Sequence, residues 1–190
     1  TLTEAITIPI HDNNSGYFSF ENNEEILKEV RWADAILFGP GLATWGKNAE
    51  WMADVLKKIQ QPLVLDASGF QPLIEKKLQF SDLPPETILT PHYAEFSRIF
   101  NMDVKKVWKD PISAVHEIIS ILDSRVLILK GATNIIVTST GELLLMSNGT
   151  PLLATAGTGD ILSGILAGAL VQGLTIDDAA IFGTYLHGEC

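Results

Sequence analysis

Ala156-Gly157-Thr158-Gly159-Asp160 stands directly before a strongly apolar run, Ile161 to Ala167. Two glycines two residues apart let a backbone turn sharply and come close to a ligand. If the apolar run is a helix, its first N–H groups lack an intrahelical acceptor and its dipole adds positive potential there. Such a start holds an anion, and charge that develops on a transferring phosphoryl group is stabilised by donors already in place. Asp160 is the odd member, because a carboxylate beside a bound phosphate raises its energy. It makes sense as the base that takes a proton from an attacking hydroxyl, or as the partner of a cation. A plainer reading stays open at this point: Thr158 or Asp160 caps the helix.

The elements that must position these residues alternate between short apolar runs and helical patterns, which predicts βαβ units and a mostly parallel sheet. Ala5 to Ile10 reads as an edge strand because it contains Pro9. Asn22 or Asn23 reads as the cap of a helix through Arg31, with Glu24 and Glu25 in its first turn. Strands are expected at 35–38, 63–65, 87–89 and 126–129, helices at about 48–59 and 112–122. Two further runs, 135–138 and 143–146, flank Gly141-Glu142 as a hairpin, and helices at about 158–172 and 176–189 close the chain. Gly173 sits where a helix ends on a left-handed residue.

Four strands in succession end in small or polar clusters: Gly39-Pro40-Gly41, Asp66-Ala67-Ser68-Gly69, Thr90-Pro91-His92 and Lys130-Gly131-Ala132-Thr133. Any one of them is explained by a tight turn. In an open parallel sheet all four lie along one edge, where ligands bind.

The chain has 190 residues, 46% of them hydrophobic, which suits one domain with a proper core and excludes disorder. A net charge of −10 repels phosphate backbones and argues against nucleic acid as a partner. The one cysteine, Cys190, permits no internal disulfide, which fits a reducing, cytoplasmic setting. The longest apolar run, Ile161 to Val171, is interrupted by Ser163, Gly164 and Gly168 and is too short to span a membrane. The chain opens on Thr1 and stops at Cys190 inside a helical pattern, so residues 1–190 are expected to be a single domain truncated at both ends.

With these residues in view, a family resemblance becomes specific. Ala154 to Gly164 resembles the signature of the ADP/ATP-dependent NAD(P)H-hydrate dehydratases, which belong to the ribokinase-like superfamily. Phe38-Gly39-Pro40-Gly41-Leu42, Leu89-Thr90-Pro91-His92 with Glu95-Phe96, Leu129-Lys130-Gly131-Ala132 and Tyr185-Leu186-His187-Gly188 are similar to that family's other motifs, in the same order. The resemblance implies a three-layer α/β/α domain and dehydration of the S form of hydrated NADH or NADPH, driven by ADP or ATP with Mg²⁺. It implies Asp160 as the catalytic base, also in contact with substrate, and Gly41 and His92 lining the substrate site. Lys130, Gly131, Ala132, Thr133 and Asn134, with Gly157, Thr158 and Gly159, would hold the nucleotide. Glu95 would reach Mg²⁺ through water, although as a first-turn residue it is equally read as a solvated helix position. A homo-oligomer is also implied.

Two departures stand out. Where the family usually shows Asp-Ala-Asp-Ala-Leu-Asn, this chain has Asp66-Ala67-Ser68-Gly69-Phe70-Gln71, so one acid is kept and the second lost. The family's N-terminal third, with a glycine-rich loop that contacts substrate, has no counterpart in the sequence. Two other readings of the same residues are a ribokinase-like kinase for a vitamin precursor (a hydroxymethylpyrimidine or hydroxyethylthiazole) and a nucleotide-binding regulatory module without turnover.

Overall fold

The computed structural model describes residues 5–12, 14–42, 48–149, 155 and 157–189. Among them a six-stranded sheet runs in simple chain order, β1 (Ile36–Phe38), β2 (Leu63–Leu65), β3 (Thr87–Leu89), β4 (Val126–Leu129), β5 (Asn134–Val137) and β6 (Leu143–Met146). The first four strands are parallel, with Ile36 opposite Leu63, Leu63 opposite Thr87 and Ile88 opposite Val126. The expected hairpin follows, with β5 antiparallel to β4 and to β6. Each of β2, β3 and β4 is buried along its whole length, as unbroken aliphatic runs in a parallel sheet must be when both faces are covered.

Alternate strand residues go to opposite layers. Leu63, Leu65, Leu89, Leu127 and Leu129 pack with α1 (Asn23–Trp32), α2 (Asn48–Leu56) and the short helices α3 (Gln71–Ile74), α4 (Tyr93–Ile99), α5 (Val104–Lys109) and α6 (Pro111–His116). Val64, Ile88, Val126 and Ile128 pack instead with α7 (Thr158–Val171) and α8 (Ile176–Gly188). Three layers result, helices on both faces of a mostly parallel sheet. Helices α7 and α8 pack so closely that a Cβ on Gly183 would lie 2.6 Å from Leu166 Cδ2. Helix α7 ends as expected: Gly173 has φ +85°, its N–H donates to Leu170 O, and Leu174 N–H donates to Ala169 O.

Three local expectations need correction. Residues 5–10 form no strand; Ile6 is 81% exposed, and no sheet neighbour stands beside the segment among the described residues. The Asn22 side chain does not cap α1. Its Oδ1 accepts the Ser19 N–H and its Nδ2 donates to His11 O, while Ser19 caps the 3-10 turn Phe20–Asn22 that leads into the helix. The expected helix over 112–122 divides into α6, started by Asp110 and Pro111, and a 3-10 turn at Ile119–Ile121. The β-branched run Ile118, Ile119 and Ile121 favours that break. Helix α5 was not expected, and α4 only in the reading of Glu95 as a first-turn helix residue.

Candidate active site

The carboxyl ends of β1 to β4 do share one edge. At β1, Gly39 has φ +128°, and a Cβ there would fall 1.8 Å from the Asp66 carbonyl oxygen. At β2, Gly69 has the reciprocal constraint, since its Cβ would lie 2.7 Å from Phe38 O. The two strand ends therefore touch backbone to backbone, which only glycine at these positions allows. Gly41, two residues on, has φ +75° and no atom of the described residues within 4 Å of a would-be Cβ.

At the end of β3, His92 starts α4. Its Nδ1 accepts the N–H groups of Ala94 and Glu95, and Glu95 Oε2 accepts the His92 N–H at 2.9 Å. That reciprocal pair is a capping box with histidine in the place usually taken by serine. It ties His92 Nδ1 to the backbone and commits Glu95 Oε2, which also lies 3.5 Å from His92 Nε2, while the ring as a whole stays half-exposed. His92 also bridges in parallel fashion to Lys130, whose N–H donates to Pro91 O. Beyond Lys130 the 131–134 turn closes on itself as Gly131 N–H donates to Asn134 Oδ1, leaving Ala132 exposed and Thr133 half-buried. Tyr93 lies against this turn: a Cβ on Gly131 would meet its phenol oxygen at 2.7 Å. Burial raises the Tyr93 phenol above its ordinary value of 10.0.

Helix α7 begins on Gly157, in the left-handed region with φ +93°, and no side chain caps it. The Thr158 hydroxyl donates to Thr155 O rather than to the helix start. The Asp160 side chain is exposed and has no hydrogen bond or ion pair among the described residues. Neither side chain caps the helix; the Thr158 N–H itself donates to Thr155 O, and an external anion at this start would be met by the N–H groups that follow it in the first turn. Ala156 lies outside the described residues.

Sequence reasoning missed what ties this helix to the sheet. Asp66, 2% exposed, accepts Lys130 Nζ on Oδ1 at 2.8 Å and Ser163 Oγ on Oδ2 at 2.6 Å. Lys130 Nζ in turn lies 3.4 Å from where a Cβ on Gly159 would be, so the glycine admits the lysine head to the first turn of α7. His187 in α8, 7% exposed, places Nε2 2.9 Å from Thr158 O. The available signal was a serine on the buried side of an otherwise apolar helix, four residues after Gly159. The structure thus brings Gly157, Thr158, Gly159, Asp160 and Lys130 together. It sets Gly41, His92 and the 131–134 turn along the same edge.

No group of three or more His, Cys, Asp or Glu side chains suited to a metal occurs among the described residues. No helix among them is long and apolar enough to cross a membrane.

The family model for NAD(P)H-hydrate dehydratase matches residues 3–190. An ADP-dependent (S)-NAD(P)H-hydrate dehydratase of Neisseria meningitidis is 33% identical over 159 residues, 82% of this chain and 53% of that protein. A ribokinase-like superfamily protein of Enterococcus faecalis superposes with a TM-score of 0.74 at 29% identity, covering 90% of this chain and 59% of the other. The ADP/ATP-dependent NAD(P)H-hydrate dehydratase of Bacillus subtilis, co-crystallised with ATP/Mg²⁺ and soaked with CoA, superposes with a TM-score of 0.71 at 30% identity, covering 83% and 56%. The chain spans 35% of the length of bifunctional NAD(P)H-hydrate repair enzymes that it also matches. The glycine-started helix, the four strand ends facing it and a family match across almost the whole sequence agree: this chain belongs to the NAD(P)H-hydrate dehydratase family and has its ribokinase-like fold.

Proposed function

We propose that the protein dehydrates the S form of hydrated NADH or NADPH at the expense of ADP or ATP, and so restores the reduced cofactor. The observation that carries this reading is the start of α7, which no side chain caps, with the Lys130 ammonium beside Gly159 and an exposed Asp160 side chain that has no partner among the described residues. An acid without a partner is available to take a proton. A helix start and an ammonium together receive the charge of a transferring phosphoryl group.

In this scheme Gly157, Thr158 and Gly159 hold the terminal phosphate of the nucleotide, and residues 130–134 hold the rest of it. Asp160 takes the proton of the ring hydroxyl as that oxygen attacks phosphorus. The P–O bond to the nucleotide breaks, and AMP leaves from ADP, or ADP from ATP. The phosphorylated ring then loses phosphate together with a proton from the neighbouring carbon, which re-forms the double bond of the reduced nicotinamide. Gly41, with no described atom within 4 Å of a would-be Cβ, and the half-exposed ring of His92 line the region for the dinucleotide.

The donor set suits a Mg²⁺ ion that comes with the nucleotide better than one in a protein cage. Asp66 has both oxygens engaged, and Glu95 has one on the α4 cap with its side chain 12% exposed. Phosphate oxygens would therefore hold most of the ion, with Glu95 reaching it through water, and it would neutralise phosphate charge.

The test is to incubate the full-length protein with hydrated NADH, Mg²⁺ and either ADP or ATP, and to follow the absorbance of reduced nicotinamide. Recovery with release of phosphate is expected. No recovery with either nucleotide would overturn the reading, and a stable phosphorylated product would favour the kinase alternative.

A further inference from the structure

We propose that Asp66 is a positioning residue, whose buried carboxylate fixes the Lys130 ammonium and the second turn of α7 in one place. The inference rests on the nucleotide reading above for its functional meaning, although its geometry does not depend on it. Asp66 ends β2, Lys130 ends β4, and Ser163 lies in α7; they are 64 and 97 residues from Asp66 in sequence. Oδ1 accepts both the Ala67 N–H and Lys130 Nζ, each at 2.8 Å, while Oδ2 accepts Ser163 Oγ at 2.6 Å. The Ser163 hydroxyl also lies 3.0 Å from Gly159 O, but it has one proton, and the charged acceptor takes it.

Two consequences follow for Lys130. An ammonium on a four-carbon stem moves freely unless something holds its head. Asp66 is its one side-chain partner among the described residues, and the lysine side chain remains 21% exposed. Two of its three N–H donors are therefore left for a ligand beside Gly159. The pair is close to neutral, so a net positive charge is not what the arrangement adds to the ground-state affinity for nucleotide. Its contribution is orientation: a donor already aimed where charge develops stabilises the transition state more than the ground state.

Asp66 and Asp160 are thereby distinct in kind. Asp66 is buried, with both oxygens accepting hydrogen bonds, and cannot also act as a base. Asp160 is exposed and unpartnered among the described residues. Of the 66–71 loop, Asp66 is the acid that this hydrogen-bond network uses.

The experiment is a cycle of Asp66→Asn, Lys130→Met and the double variant in the full-length protein, read in two ways. Reductive methylation with ¹³C, followed by NMR, reports the Lys130 environment without any nucleotide. A resolved Lys130 signal in the parent should merge with those of solvated lysines in Asp66→Asn. In turnover, Asp66→Asn should lower kcat by about 100-fold while the KM for ADP stays within about threefold. The same change made in Lys130→Met should cost less than about threefold more, because the acid acts through the lysine. A purely structural role predicts the opposite: lower stability, and equal losses in both backgrounds.

An unmoved Lys130 signal, or losses that multiply, would overturn the proposal. Where Asp66→Asn fails to fold, Ser163→Ala takes its place. It should leave the Lys130 signal in position and lower kcat about three- to tenfold, and parent-like kcat would count against the link to α7. Absence of turnover by the parent would refute the proposed reaction alone, and the NMR comparison would still decide the role of Asp66.

Discussion

His187, near the end of α8, places its Nε2 2.9 Å from the carbonyl oxygen of Thr158, the first residue of α7. A carbonyl can only accept, so Nε2 carries the proton and donates it. The last helix thereby holds the first peptide of the helix whose start faces the ligand edge, with the ring buried around the bond. Removal of the ring in His187→Ala leaves that contact unmade and a void behind it. A loss of about 1–3 kcal/mol in urea unfolding is expected, together with weaker ADP binding by calorimetry. Full ADP affinity in a destabilised variant would show that the helix start keeps its orientation without the bond.

Asp160→Asn keeps the shape of the side chain and removes its capacity to take a proton. Its kcat should fall about 100- to 10,000-fold, the range general-base catalysis supplies, with ADP affinity nearly unchanged. Steady-state kinetics and ADP titration of the same preparation check both halves. An active Asp160→Asn enzyme would remove this residue from the mechanism.

Gly39 and Gly41 differ by two positions and should respond very differently to alanine. At Gly39 a methyl group would overlap the Asp66 carbonyl at 1.8 Å, and φ is +128°. The ends of β1 and β2 must separate, so Gly39→Ala should cost about 3 kcal/mol or more, or prevent folding. Gly41→Ala meets no atom of the described residues, and its left-handed φ of +75° costs about 1–2 kcal/mol. That variant should fold and show a raised KM for the hydrated dinucleotide with a near-normal KM for ADP. Thermal unfolding and paired KM measurements distinguish the two cases.

Tyr93 supplies a pH prediction. Burial raises its phenol above the ordinary 10.0, so the fold prefers the protonated form. The associated stability is fully present below about pH 10 and is lost as pH rises through the folded-state value. Absorbance titration near the phenolate band should show one tyrosine ionising after the other two, absent in Tyr93→Phe, and Tm should decline over that same alkaline range. A Tyr93 that titrates with the others would refute the burial argument.

Much of the ligand edge was legible in the chain itself. Unbroken aliphatic runs such as Val126 to Leu129 specify strands buried on both faces, and small or polar residues follow each one, so strand type, strand end and shared edge could be read together. The same holds for α7, whose left-handed Gly157 and Gly173 mark its two ends. Short helices were harder to read. His92 gives no common cap signal, yet it starts α4, and the six-residue α5 and α6 carry too few turns for a helical period to show. Nor could Ala5 to Ile10 be settled locally, because an extended segment becomes a strand only where a sheet edge is available to pair with it.

The chemistry divides along the same line. Residue types and spacing along the chain determined that a glycine-started helix with an acid in its first turn exists, because helix termini and glycine turns are local physics. Which acid is exposed and which is buried was decided only by tertiary structure. Asp66 and Asp160 are the same residue type, and what separates them is the arrival of Lys130 and Ser163 from 64 and 97 residues away. Such partners meet only when β2, β4 and α7 pack, and burial then converts a carboxylate that would be solvated in the unfolded chain into a fixed acceptor.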